Sequence, residues 1–108
     1  MKQLTDATFD REVLRSDRPV IVAFQAPWSN ASNACAASLE RVSGEYEGDV
    51  PTFSINVDDD SIVVSHYDLR QLPALALYSE GAVVATHEGM ISEDELRALY
   101  ERALAADA

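Results

Sequence analysis

Cysteine occurs once in the 108 residues, at Cys35. A single thiol excludes an internal disulfide and any zinc site built from several cysteines. Lysine is confined to Lys2, and all basic residues number 8 against 19 acidic ones, a formal charge of −11. Such a surface repels a phosphate backbone, which argues against nucleic acid as a direct partner, and draws basic partners inward. Long apolar runs are missing too. The stretch Pro19-Val20-Ile21-Val22-Ala23-Phe24 falls far short of the roughly 20 residues a membrane-spanning helix needs, so no membrane association is expected. Residues 1–18 hold no apolar segment behind a basic start, so no secretory signal is expected and the cytoplasm is the expected location. Glycine and proline stand at 4 each, with no linker, repeat or low-complexity tract. What remains, 47% hydrophobic and 25% charged residues, is the balance of one globular domain spanning 1–108.

The elements follow from periodicity. A helix is predicted over Thr5–Ser16, with Thr5 or Asp6 as cap, Phe9, Val13 and Leu14 on one face, and Arg18-Pro19 as its stop. Val20–Phe24 is unbroken and rich in β-branched residues, the pattern of a strand covered on both faces. An alanine-rich helix runs from Asn30 to about Tyr46. Thr52–Val57 alternates as a strand, and Asp58-Asp59-Asp60-Ser61 caps a short helix through Tyr67. Ala74–Tyr78 and Ala82–His87 form a hairpin around Ser79-Glu80-Gly81. In the last helix Ser92-Glu93-Asp94-Glu95 is a capping box and Ile91 with Leu96 a hydrophobic staple, followed by Leu96, Leu99, Tyr100, Ala103 and Leu104 along one stripe. The order predicts an α/β domain: a mixed central sheet of three parallel-type strands plus an antiparallel hairpin, flanked by four helices on both faces.

Few residues carry chemistry by themselves. Ser29, directly before a helix, reads as its cap, because serine is among the preferred residues there. A serine nucleophile needs a histidine within reach, and nothing in the spacing of His66 and His87 brings either to Ser29. Asp58-Asp59-Asp60 lacks the glycine and glutamate that a calcium loop starting there requires at positions occupied by Val63 and Leu69. No metal site and no cofactor is expected. Cys35 falls in a helix interior among Ala34, Ala36 and Ala37, where the helix end contributes little to thiolate formation, so a buried thiol is expected.

Five landmarks, in order and at fitting intervals, are Phe24-Gln25-Ala26-Pro27-Trp28 between a buried strand and a helix, Asn56-Val57-Asp58, Leu72-Pro73-Ala74, Gly81 and Gly89. On these the whole chain resembles the thioredoxin family. The resemblance implies the thioredoxin fold, a cis-proline at Pro73, and a groove where the residue before that proline offers its backbone to an extended peptide.

It also exposes departures. Where the family carries Cys-x-x-Cys after the tryptophan, this chain has Ser29-Asn30-Ala31-Ser32. The buried aspartate that serves the cysteine pair is Ala23, and its lysine partner is Ser54. The proline that kinks the family's second helix is Ala37. Hydroxyls form no disulfide, so Ser29 and Ser32 are degenerate motif positions. The expectation is a redox-inactive thioredoxin-like protein, not an enzyme, acting as an accessory, scaffold or chaperone-like module. Its protein or peptide partner is expected in a groove of Trp28, Ser29, Asn30, Leu72, Pro73, Gly89 and Met90. The alternative is a single-thiol redox enzyme or sensor using Cys35. Neither partner identity nor oligomeric state is written in the sequence.

Overall fold

Residues Val20 to Phe24 are all at most 1% exposed, as their unbroken apolar run requires of a central strand. The computed structural model describes residues 1–46, 48–59, 65 and 70–107. In it, β2 (Val20–Gln25) lies at the middle of a five-stranded sheet ordered β1-β3-β2-β4-β5. β1 (Lys2–Leu4) and β2 both run parallel to β3 (Thr52–Asn56). On its other side β2 pairs antiparallel with β4 (Ala74–Ser79), which pairs antiparallel with β5 (Ala82–Glu88).

Alternation along β2 divides the core. Val22 and Phe24 face one side with Leu4, Phe9, Val13, Ile55 and Tyr78. Ile21 and Ala23 face the other with Cys35, Leu39, Val42, Leu75, Leu77, Leu96 and Tyr100. The first layer is covered by α1 (Asp6–Phe9) and its continuation as a π-helical stretch, Asp10–Leu14. The second is covered by α2 (Asn30–Glu45) and α3 (Glu93–Asp107). The two helices are tied at their surfaces, where Arg97 donates to both oxygens of Glu45 at 2.8 Å.

The hairpin turn is tighter than the sequence suggests. Ser79 pairs with Ala82, leaving Glu80 (φ 54°) and Gly81 (φ 79°) as a two-residue turn with both residues left-handed. A Cβ at Gly81 would stand 2.8 Å from the Leu14 carbonyl oxygen, so the turn seats against the end of the first helix.

One expectation changes, and another lies outside the described residues. Among the described residues there are three helices rather than four, and the short helix expected through Tyr67 lies outside them, as does His66. The first helix is not a plain α-helix to Ser16: Arg15 donates to the Asp10 carbonyl, a five-residue reach. That wider turn carries Leu14 past the stripe of Phe9 and Val13, leaving it 38% exposed. The capping box at the last helix stands as expected. Glu95 N donates to Ser92 Oγ at 3.1 Å, and Ser92 N donates to Glu95 Oε1 at 3.0 Å. The bond from Ser92 N foremost, with the nearby Ser92 hydroxyl, holds the Glu95 carboxyl below its ordinary value of 4.5.

Candidate functional site

Where β2 leaves the sheet, the chain turns a corner through Ala26-Pro27-Trp28-Ser29 into α2. Its polar groups are satisfied locally. Ser29 is the N-cap residue, and its Oγ accepts from Ser32 N at 3.0 Å. Ser32 Oγ in turn accepts from Ala26 N at 3.4 Å, and Asn33 Nδ2 donates to the Pro27 carbonyl at 3.3 Å. Both serine side chains are buried. Each is engaged in holding the strand-to-helix corner, as an N-cap should be. Ser29→Ala is expected to destabilise the fold by about 1 kcal/mol, read as a lowered midpoint in urea unfolding. An unchanged midpoint would show that the cap bond contributes nothing net.

Trp28 projects outward from this corner, 69% exposed. Its Nε1–H donates to Asp58 Oδ2 at 2.8 Å, which fixes the indole while leaving its face open. The Asp58 turn follows β3, and Asp58 N donates to Asn56 Oδ1 at 2.9 Å. From the sequence Asp58 reads as part of the Asn56-Val57-Asp58 landmark and of a helix-capping turn, not as a partner of Trp28, because a bond spanning 30 positions along the chain has no local signature.

The facing wall comes from the start of β4 and the end of β5. The Leu72–Pro73 bond is cis. Gly89 N donates to the Pro73 carbonyl at 2.8 Å, tying the loop to the strand that follows in space. Gly89 has φ 84°, a left-handed conformation that favours glycine, and a Cβ there would displace the end of the Gln71 side chain. His87 Nε2–H donates to the Met90 carbonyl at 2.8 Å, steadying the segment that leaves Met90 68% exposed.

Between the walls lies an open cavity of about 220 Å³ lined by Trp28, Ser29, Arg70, Gln71 and Leu72. Three of the seven residues expected in the groove thus share one cavity. Pro73 follows Leu72 and is tied to Gly89 by their backbone bond, Asn30 opens α2 directly after Ser29, and none of Asn30, Pro73, Gly89 and Met90 lines the cavity. Arg70 and Gln71 were missed, although their place immediately before Leu72-Pro73 is a usable signal.

Cys35 stands apart from this corner. It is 5% exposed in the core beneath α2, packed with Ala23 and Leu39, and burial pushes its thiol above the ordinary value of 9.0. A thiolate, the reactive form, is disfavoured there.

Comparison with known proteins matches the thioredoxin family model to residues 1–102. Thioredoxin 1 of Nostoc sp. is 34% identical over 102 residues, covering 94% of this chain and 95% of the relative. The thioredoxin of Porphyra purpurea is 30% identical over the same shares. That of Pseudomonas aeruginosa is 33% identical over 98 residues, 91% of each chain. These relatives correct the expectation that the chain is not an enzyme. Each is named a thioredoxin, and the name is that of redox proteins, so the comparison points to redox activity. The expectation leaned on the hydroxyls of Ser29 and Ser32, with Ala23 and Ser54 in support, and the loss of one chemistry at these positions does not by itself remove a chain from an enzyme family. Among the described residues no helix is long and apolar enough to cross a membrane.

Proposed function

We propose that this chain, which belongs to the thioredoxin family, binds an extended segment of a protein partner across the corner between Trp28-Ser29 and Leu72-Pro73. One observation carries the reading. Among the described residues Trp28 and Met90 are the two most exposed large apolar side chains, at 69% and 68%, and Trp28 lines the open cavity together with Leu72. An exposed indole beside a cavity of side-chain size is the kind of anchor on which binding energy concentrates. Gly89 and Pro73 hold one wall, and the Ser29 cap holds the other, so the cleft is rigid before a partner arrives, which lowers the entropic cost of binding. Leu72 would offer its main chain to the partner and the cavity would take one apolar side chain. Such a grip serves an accessory, scaffold or chaperone-like role, and thioredoxins act on protein substrates in any case. The cytoplasm, where thiols stay reduced, suits a chain with one free cysteine.

Binding is separable from turnover by experiment. Reduced and alkylated insulin B chain offers an extended polypeptide without thiols, and its titration by calorimetry reads binding alone. Trp28→Ala is expected to weaken that binding about tenfold or more. Equal affinity for both forms would overturn the reading. Reduction of intact insulin disulfides, followed in parallel, reads the redox chemistry on which the binding reading does not depend.

A further inference from the structure

We infer that the segment bound at this corner is basic, presenting an arginine whose guanidinium lies over the Trp28 ring and beside the Asp58 carboxylate. The inference rests on the groove reading above and adds the partner's chemistry to it. Three features converge. The Trp28 face is open, and an indole face attracts a cation placed within about 6 Å of its centre. The indole N–H is bonded to Asp58 Oδ2, so a carboxylate sits at the ring's edge, where it turns the ring electron-rich and supplies a second oxygen for hydrogen bonding. Asp59 follows it, also exposed, and its Oδ2 is steadied by Asn56 Nδ2 at 3.2 Å.

Charge complementarity selects arginine over a neutral residue. A net charge of −11 draws basic segments toward the whole molecule, and Asp58 and Asp59 mark where on the cleft they would settle. Arginine stacks its planar fork on a ring while bonding a carboxylate in the same plane, which a lysine ammonium does not do. The cavity is also lined by a cation, Arg70, which disfavours a second guanidinium inside it, so the partner's apolar side chain enters the cavity and its arginine stays outside, over Trp28 and beside Asp58.

The test uses two synthetic peptides, acetylated and amidated, of alternating serines around a central leucine. One carries arginine two positions from the leucine and the other carries citrulline there, which keeps the planar shape and removes the charge. Trp28 is the sole tryptophan, so its fluorescence reports binding directly. The arginine peptide is expected to bind about five- to tenfold more tightly than the citrulline peptide at low salt, with the advantage shrinking as salt is raised. Asp58→Asn keeps an acceptor for the indole N–H, and it is expected to bring the two peptides within about twofold of each other. Equal affinity of both peptides for the unaltered protein would overturn the arginine assignment and leave the groove reading standing. Failure of both peptides to change the fluorescence saturably would overturn both readings.

Discussion

Replacing Ala23 by aspartate is expected to destabilise the fold by about 3–5 kcal/mol at neutral pH, a large part of the 5–15 kcal/mol typical of a domain. Ala23 has no exposed surface and sits among Cys35, Leu39, Leu75 and Leu77. Its strand neighbours are Ser54 on β3 and Leu75 on β4, so no cation stands opposite. An ionised carboxylate there loses its hydration without compensation, and the group would instead stay protonated with a raised pKa. The sign then follows. The folded pKa lies above the unfolded value of about 3.9, so the unfolded state releases its proton first, and stability falls as pH rises from there to the folded pKa. Each unit of separation costs about 1.4 kcal/mol. Urea unfolding at pH 4 and at pH 7.5 checks this, the deficit against the unaltered protein being larger at the higher pH. Adding Ser54→Lys, which sets an ammonium beside the new carboxylate, is expected to recover part of the loss. A deficit identical at both pH values would show that the side chain finds water and that this layer is not dry.

Tyr100→Ala is expected to cost about 3–5 kcal/mol, and Tyr100→Phe about 1 kcal/mol. Tyr100 is fully buried on the inner face of α3. Its ring stacks on Tyr46 at 5.0 Å with an interplanar angle of 11°, and its hydroxyl lies 2.6 Å from Thr52 Oγ1. Thr52 Oγ1 already donates to the Val50 carbonyl at 3.1 Å, so Tyr100 is the donor of the pair. Burial, opposed by the bonds to Thr52 and Ser43, pushes the phenol above its ordinary value of 10.0, which keeps it in the donating form. The alanine variant removes a ring that joins α3 to the start of β3, and the phenylalanine variant removes one bond. Chemical denaturation of the two variants separates ring from hydroxyl, and comparable losses from both would mean that the hydroxyl, not the packed ring, dominates.

Much of this architecture was legible before any coordinates. Val20–Phe24 declared a doubly covered strand, Ser92 with Glu95 declared a helix start, and Ser29 declared a cap, because each depends on residues within a few positions of one another. The first helix was less legible. It widens into a π-helical turn that ends where the hairpin turn at Gly81 comes close to the Leu14 carbonyl, an approach between distant segments, and the local pattern predicted Leu14 as core. Activity was the least legible part, since absent thiols say which step two side chains cannot take and nothing of the family's other uses of the fold.

By itself the chain's order of residues determined the strand and helix sequence, the lone sulfur, the acid excess and the hydroxyls at the motif, since these are properties of neighbours and of composition. Tertiary structure alone decided that the indole of Trp28 would meet Asp58, that Gly89 would admit Gln71 while closing on Pro73, and that Arg70 and Gln71 would complete the cleft. Those pairs lie far apart along the chain, 30 positions for Trp28 and Asp58, and only the sheet's strand order brings such ends to one edge. Local preference carries no information about which distant loops the sheet will set side by side.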